Sequence, residues 1–174
     1  MKYLVKFFVV TFFLIVCTNA FAEQKIVVLD MKYVLNNSKA GKSGQEFLKK
    51  KFNDNAKKFS KLEKLLKKEE MDLLGAKANL TKEEYAKRSD TLRKKVIDYQ
   101  SQRRASIDNL ATQRAEARKI LMEQLKPIVD AYINENEISL VIDKKNMIGG
   151  LNKYDITNLI VDTLNKEFSS INLE

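Results

Sequence analysis

A seven-residue repeat of apolar side chains in the middle of the chain constrains the fold more than any other feature. The side chains at the repeating positions and the intermediate ones are Leu48, Phe52, Phe59, Leu62, Leu66 and Leu73. Spacing of this kind forms the seam along which two helices pack in a coiled coil. The chain has only 5 Gly and 1 Pro among its 174 residues, which leaves little material for the turns that many short strands need. We therefore expect long helices.

The second half of this middle segment returns along the first half. Its apolar residues fall at spacings of three, four or their sums and are Tyr85, Leu92, Val96, Tyr99, Leu110 and Leu121. Between the halves, residues 75–80 disfavour a helix, and Thr81 with Glu84 matches a capping box that restarts one. The pattern predicts an antiparallel helical hairpin over residues 41–126, called the arm below, with its tip near Asn79 and a reach of about 55–60 Å. We expect Pro127 to kink the return helix at the base of the arm.

The seam is imperfect. Asn55 and Glu69 fall on it in the outgoing half, and Arg103 interrupts it in the returning half. A coiled coil tolerates a few polar seam residues at a cost in stability. We therefore expect an arm that bends.

The remaining residues, 23–40 and 127–174, form the predicted body. Strands are predicted at 25–30 and 138–143, a helical turn at 31–37, a short third strand at 146–150, and a final amphipathic helix with Asp155 as its N-cap. These 66 residues are few for a stable domain, and strand edges need covering. We therefore expect the body to oligomerise, and its apolar strand and helix residues are Ile26, Val28, Leu140, Ile142, Ile156, Ile160 and Leu164. The predicted fold class is α+β, mostly α, with a small β-body and a long helical hairpin projecting from it.

Residues 1–22 have the pattern of a secretory signal peptide. Two lysines precede the apolar run Phe7–Val16, and Ala20–Ala22 supplies the small-x-small pattern for cleavage. The run is about half as long as a membrane-spanning helix, which favours cleavage over a retained anchor. A lipoprotein alternative rests on Cys17, but Val16 stands where that processing requires a small residue. The predicted location is the bacterial periplasm.

Positive charge is concentrated on the arm. The chain has a net charge of +9, and the arm alone holds 23 Lys and Arg against 13 Asp and Glu. For any single cluster a solvated helix surface explains the lysines. The asymmetry between the arm and the near-neutral or acidic body favours partners that are anionic or border an anionic surface.

The sequence offers no pattern for catalysis or for a bound cofactor. It has no histidine, and its 1 cysteine falls in the predicted signal peptide. Residues 41–44 read Gly-Lys-Ser-Gly, but Asn36 stands where a phosphate-binding loop has its first glycine. Asp30 and Asp143 end their strands, where aspartates cap turns more often than they bind metals. We therefore expect no enzyme activity, no cofactor and no metal.

The chain resembles the Skp (OmpH) family of periplasmic chaperones. The resemblance is carried by the signal peptide and by residues 25–31 and 34–42, which follow it. It is also carried by residues 138–143 and 154–157, which precede an amphipathic helix. It implies a homotrimer in which strands from three chains form the body and three helical arms enclose a cavity. It also implies ATP-independent holding of unfolded outer-membrane β-barrel proteins until their delivery for outer-membrane assembly.

Several arm residues are candidates for client or lipopolysaccharide binding. For charge we nominate Lys57, Lys58, Lys77, Lys87 and Arg88, and for apolar contact Met71 and Leu74. Lipopolysaccharide or another anionic membrane surface is a partner that the resemblance implies. Two other functions remain open: a nucleic-acid-binding protein, which the signal peptide disfavours, and a coiled-coil adaptor of the envelope or a basic surface-binding protein.

Overall fold

The computed structural model describes Tyr3 and residues 24–173. Strand β1 spans Lys25–Leu29 and is followed by helices α1 (Met31–Asn37) and α2 (Lys39–Ala76). After a 3₁₀ turn at Lys77–Asn79, helix α3 runs from Lys82 to Glu135 and leads into strand β2 (Ile138–Asp143). Two further 3₁₀ turns, Lys144–Asn146 and Asn152–Tyr154, precede the last helix, α4 (Thr157–Glu167). Apart from Tyr3, the predicted signal peptide lies outside the described residues.

The two strands pair in parallel although the whole hairpin separates them in the chain. Leu29 lies opposite Asp143 and Ile26 opposite Leu140, with an irregularity beside Lys25 where one residue of β2 is left over. Since successive strand side chains face opposite ways, Val27 and Leu29 point into the core while Ile26 stays exposed. The α+β class with a small sheet and a long helical hairpin is confirmed.

The core of the body lies between the sheet, the last helix and the end of α3. Its buried side chains come from β1, from the short helix α1, from the end of α3 and from α4 with the residue before it, and are Val27, Leu29, Val34, Leu125, Ile128, Ile156, Ile160, Val161 and Leu164. Ile160 and Leu164 are fully buried because the amphipathic α4 turns its apolar face inward. The two halves of the body therefore fold together across the base of the arm.

A second cluster joins the arm to the body through the C-terminal tail, residues 168–173. Ile171 and Leu173 pack against the start of α2 and the middle of α3, in a cluster completed by Ala40, Leu48, Ala117 and Leu121. Gly44 leaves room for this contact, since a Cβ there would lie 3.3 Å from Ile171 Cδ1. The tail thus holds both helices of the arm at its base.

Side-chain caps set the helix starts that the sequence marks. The Asp30 carboxylate accepts a hydrogen bond from Tyr33 N at 2.8 Å and caps α1. Ser38, which is fully buried, ends α1 and caps α2 through its hydroxyl oxygen. The predicted capping box is present, because Thr81 and Glu84 each accept a backbone hydrogen bond from the other.

Three local predictions are wrong. Residues 146–150 form no strand; at β1, Val28 is instead bridged by Asp155, and Ile156 N donates to Val28 O at 2.9 Å. Asp155 is not the N-cap of α4, which begins one residue later than predicted, although its carboxylate accepts from Thr157 N at 2.9 Å. Phe52 is 59% exposed instead of lying in the seam. It lines a cavity beside the polar seam residues Asn55 and Arg103, and since polar groups need a partner or water, the helices do not close over Phe52 there.

Helix α3 continues through Pro127 without a break in its helical backbone. In the described part of the chain, no helix combines the length and apolar character that crossing a membrane requires.

Candidate functional site

The arm is the candidate functional site. Helix α2 has 38 residues, which corresponds to about 57 Å at 1.5 Å per residue. The first part of α3 runs back along it, and ring contact between Phe59 and Tyr99 joins the two helices at a centroid distance of 6.0 Å. The two helices leave a different surface on each side of this line of contact.

On one side the helices enclose a long open groove. Two cavities of about 330 and 590 Å³ adjoin along this side of the arm, since Glu63 and Tyr99 lie in the walls of both. The larger apolar side chains that line them, called the apolar groove below, are Phe52, Phe59, Leu66, Leu73, Leu74, Tyr85, Leu92, Val96, Ile97, Tyr99, Ile107 and Leu110. Four of these side chains remain more than half exposed: Phe52, Leu74, Ile97 and Ile107. Single exposed apolar side chains are common on protein surfaces, whereas a contiguous exposed apolar surface of this kind indicates an interaction site.

Charged side chains rim the apolar groove. Lys67 Nζ lies 2.8 Å from Glu63 Oε1, and both residues line the groove near its middle. The hydrogen bond from Lys67, followed by its charge, lowers the pKa of Glu63, and the same contact raises the pKa of Lys67. Arg93 and Arg103 add positive charge on the α3 side. Glu63 and Lys67 are therefore both charged at neutral pH.

The opposite side of the arm is polar and is called the charged face below. A cavity of about 510 Å³ near the tip is lined by residues that include Glu69, Asp72, Glu84, Lys87, Arg88 and Lys95. Lys95 Nζ donates to both carboxylate oxygens of Glu69, at 2.8 and 2.7 Å, and so ties the two helices together. The seam residue Glu69 is thereby satisfied by a cross-arm ion pair.

Of the basic residues nominated from the sequence, Lys87, Arg88 and Lys77 lie on the charged face or at the tip, whereas Lys57 and Lys58 lie farther down α2. Lys87 and Arg88 line the charged face, and Lys58 donates across the arm to Gln102 Oε1 at 3.4 Å. Lys77 Nζ lies 5.6 Å from the centre of the Tyr85 ring at the tip, and Lys57 is exposed.

The two apolar residues nominated from the sequence lie on different surfaces of the arm. Leu74 lines the apolar groove, whereas Met71 is exposed and lines neither cavity of the groove. Sequence reasoning missed Ile97 and Ile107, which lie beside the seam and not on it. Both could have been found from the sequence, because each is an isoleucine at a position outside the seam, where a solvent-exposed helix usually carries a polar residue.

The seven nominated body residues divide by exposure. Val28, Ile156, Ile160 and Leu164 are buried within this chain's own fold, and Ile142 is half-buried. Ile26 and Leu140 lie opposite each other in the sheet and remain exposed, at 41% and 52%.

No metal site is formed by the residues that the structure describes, since no group of three or more His, Cys, Asp or Glu is arranged to hold an ion. The Asp30 and Asp143 carboxylates accept hydrogen bonds from Tyr33 N and Lys145 N, so they cap turns as the sequence favoured.

A match to a protein family decides the family of the chain. Residues 25–164 match the family described as outer membrane protein (OmpH-like). The chain belongs to this family. It is 25% identical over 170 residues to a Skp-like protein of Pseudomonas aeruginosa, an alignment that covers 95% of this chain and 99% of the relative.

The fold is that of a solved member of the OmpH-like family. A crystal structure described as an OmpH-like outer membrane chaperone of Caulobacter crescentus superposes with a TM-score of 0.81, at 15% identity, and covers 87% of this chain and 89% of that one. The resemblance to the Skp family is thereby confirmed. The family is one of OmpH-like outer membrane chaperones.

Proposed function

We propose that this chain is an ATP-independent periplasmic holdase that binds unfolded outer-membrane β-barrel proteins and keeps them soluble for assembly. The observation that carries the proposal is the arm itself, which exposes a row of apolar side chains beside a net charge of +10. Many weak apolar and ionic contacts of this kind hold a collapsed chain without reading its sequence. Membership of an outer membrane chaperone family supports the client class.

The test is aggregation of a urea-denatured outer-membrane β-barrel protein after dilution, followed by light scattering. The chain without its predicted signal peptide, residues 23–174, is called the mature chain here. It is expected to suppress scattering without nucleotide and in the presence of a chelator. A control with a denatured cytosolic protein measures selectivity. Suppression that required ATP or a metal ion, or no suppression at all, would contradict the proposal.

We further propose that the functional unit is a homotrimer assembled through the body. Ile26 and Leu140 support assembly through the body, because they form an exposed apolar pair on the two-stranded sheet. The number of three chains is what the resemblance to the Skp family implies. Ile26→Asp with Leu140→Asp is expected to lower the mass found by sedimentation equilibrium from three chains to one. Ile97→Asp, also an exposed isoleucine but on the arm, is the control and should leave the trimer intact.

The positive charge of the arm is proposed to speed client capture. Attraction between exposed charges is screened over about 8 Å at physiological salt, so association should slow as salt is added. Reversal of Lys57, Lys58, Lys87 and Arg88 to Glu is expected to slow association and flatten its salt dependence. Equal rates and slopes for both proteins would show that these side chains form only a solvated surface.

A second candidate function is a non-enzymatic envelope adaptor or a basic surface-binding protein, in which the arm binds lipopolysaccharide or another anionic membrane surface. Lys87 and Arg88 on the charged face favour it, since they lie together near the tip. Binding to lipopolysaccharide-containing vesicles, with suppression of aggregation absent, would favour this function over the holdase.

A further inference from the structure

The apolar groove has the dimensions of one strand of a β-barrel. From Tyr85 to Leu110 along α3 it spans 25 residues, about 37 Å at the helical rise, and from Phe52 to Leu74 along α2 it spans about 33 Å. A transmembrane β-strand has about 9–11 residues and rises about 3.3 Å per residue, which gives about 30–36 Å. The groove and an extended strand of this class therefore match in length.

The cross-section of the groove also fits an extended segment. Its floor is apolar and its rim is charged through Glu63, Lys67, Arg93 and Arg103. A transmembrane strand alternates apolar and polar side chains, so its apolar side meets the floor while its polar side faces the rim and water. The groove is open, so the backbone groups of an extended chain stay within reach of water and of the rim side chains.

A helix fits the same groove less well. A helix is about 10 Å wide with its side chains, so a third helix packed between α2 and α3 would cover the rim charges of Glu63, Lys67 and Arg103, and burial of charged groups carries a desolvation penalty. An extended segment is narrower and places only every second side chain in the groove. The charged rim thus disfavours a second copy of the arm as the occupant.

From these observations we propose that the apolar groove binds a single extended client segment of about ten residues whose apolar side chains alternate with polar ones. This inference rests on the proposed holdase function and identifies the part of the arm that contacts the client. It assigns contact with the apolar side of the segment to Phe52, Leu74, Ile97 and Ile107.

The test uses two fluorescein-labelled peptides of 11 residues with the same composition. In the first, Leu, Val and Tyr alternate with Ser, Thr and Asp; in the second, the apolar residues are grouped at one end. Binding to the full mature chain is measured by fluorescence anisotropy. The alternating peptide is expected to bind at least five-fold more tightly, and equal affinities would overturn the proposal.

Matched variants locate the binding site. Ile97→Ser with Ile107→Ser is expected to weaken binding of the alternating peptide about ten-fold, because the exposed parts of two isoleucine side chains no longer gain burial. The control is Leu65→Ser with Met71→Ser, since these side chains are 57% and 64% exposed, as the isoleucines are 59% and 61% exposed, but line neither cavity of the groove. An equal loss in both variants would overturn the assignment.

A photo-crosslink in the unmodified chain gives a result that does not depend on how the variants fold. A benzophenone in the middle of the alternating peptide should label residues of the groove, near Tyr99, and labelling confined to the charged face or the body would refute the site. Aggregation suppression is measured on the same proteins. Suppression that persists while the peptide results fail overturns the groove alone, whereas no suppression by the wild-type chain overturns the holdase function.

Discussion

The C-terminal tail is expected to hold the arm to the body, and Ile171→Ala tests this. Ile171 and Leu173 are each only 8% exposed, and Gln113 Nε2 donates to Leu173 O at 3.3 Å. Replacing a buried isoleucine by alanine costs about 2–5 kcal/mol of unfolding free energy. Residues 168–173 belong to no helix or strand, so the backbone there can relax into part of the space, and the lower end of that range, about 2 kcal/mol, is expected for Ile171→Ala.

The double variant Ile171→Ala with Leu173→Ala should cost less than the sum of the single changes. Once the first substitution releases the tail, the second side chain has little contact left to lose, and neighbouring sites of this kind are not additive. Saturation of the loss would therefore show that the tail docks as a unit.

The assay is urea unfolding followed by circular dichroism at 222 nm. Protomer concentration must be held constant because an oligomer's stability depends on it. Ile107→Ala, the same substitution at a side chain that is 61% exposed, is the control and should cost less than about 1 kcal/mol. An effect of Ile171→Ala no larger than that of the control would refute the role given to the tail.

Two further predictions concern single polar contacts. Burial by itself raises the pKa of Asp155, but hydrogen bonds from Lys144 Nζ and Thr157 outweigh it and hold the pKa below its usual value. A carboxyl group with a lowered pKa stabilises the fold at pH values above the ordinary aspartate pKa. The Asp155→Asn variant should therefore be less stable than the wild type by about 1 kcal/mol at pH 7, and this difference in unfolding free energy should close as pH falls below about 4. A difference that stayed constant down to pH 2 in urea unfolding would contradict this reasoning. Thr81→Ala removes a side-chain oxygen from the capping box and should cost about 1 kcal/mol, with faster amide exchange at Glu84 N. Unchanged exchange there would show that the start of α3 does not depend on the cap.

Most of the architecture was predictable because it depends on local patterns. The heptad spacing of Phe59, Leu66 and Leu73 gave the outgoing helix, and the capping box at Thr81 gave the start of the returning one. The two strands were readable as short β-branched runs. Their parallel pairing was not, because it depends on where α3 delivers β2 after more than a hundred intervening residues.

The errors concern contacts between segments that are distant in sequence. Residues 146–150 have a composition compatible with a strand, but at β1 Val28 meets Asp155 and Ile156 instead. The C-terminal tail was not recognised as a structural element because Ile171 and Leu173 alternate over too few residues to form a pattern. Burial of those two side chains is decided by the small residues Ala40, Gly44 and Ala117 opposite them.

Sequence reasoning predicted that the arm is the candidate site, but it did not predict where on the arm the exposed apolar surface lies. Charge on the arm follows from counting, and Lys87 and Arg88 do lie together on one face. The apolar groove on the other side could not be located from spacing, because Phe52 is exposed beside the polar seam residues Asn55 and Arg103, and Ile97 and Ile107 lie outside the repeat. A heptad pattern predicts the line along which two helices pack, but it does not predict the composition of the surface beside that line.

The residues that spoil the heptad seam also explain why the arm has an open groove. Asn55 and Arg103 both line the groove at the level of Phe52 and Ile107. A polar side chain in the seam keeps the two helices from closing fully over apolar neighbours, because a buried polar group needs a partner or water. Glu69 avoids this by pairing with Lys95 on the charged face, where the helices are bridged. A fully apolar seam would make a stiffer hairpin with less apolar surface left exposed, so the same polar seam residues both lower coiled-coil stability and leave open the surface that we propose binds clients.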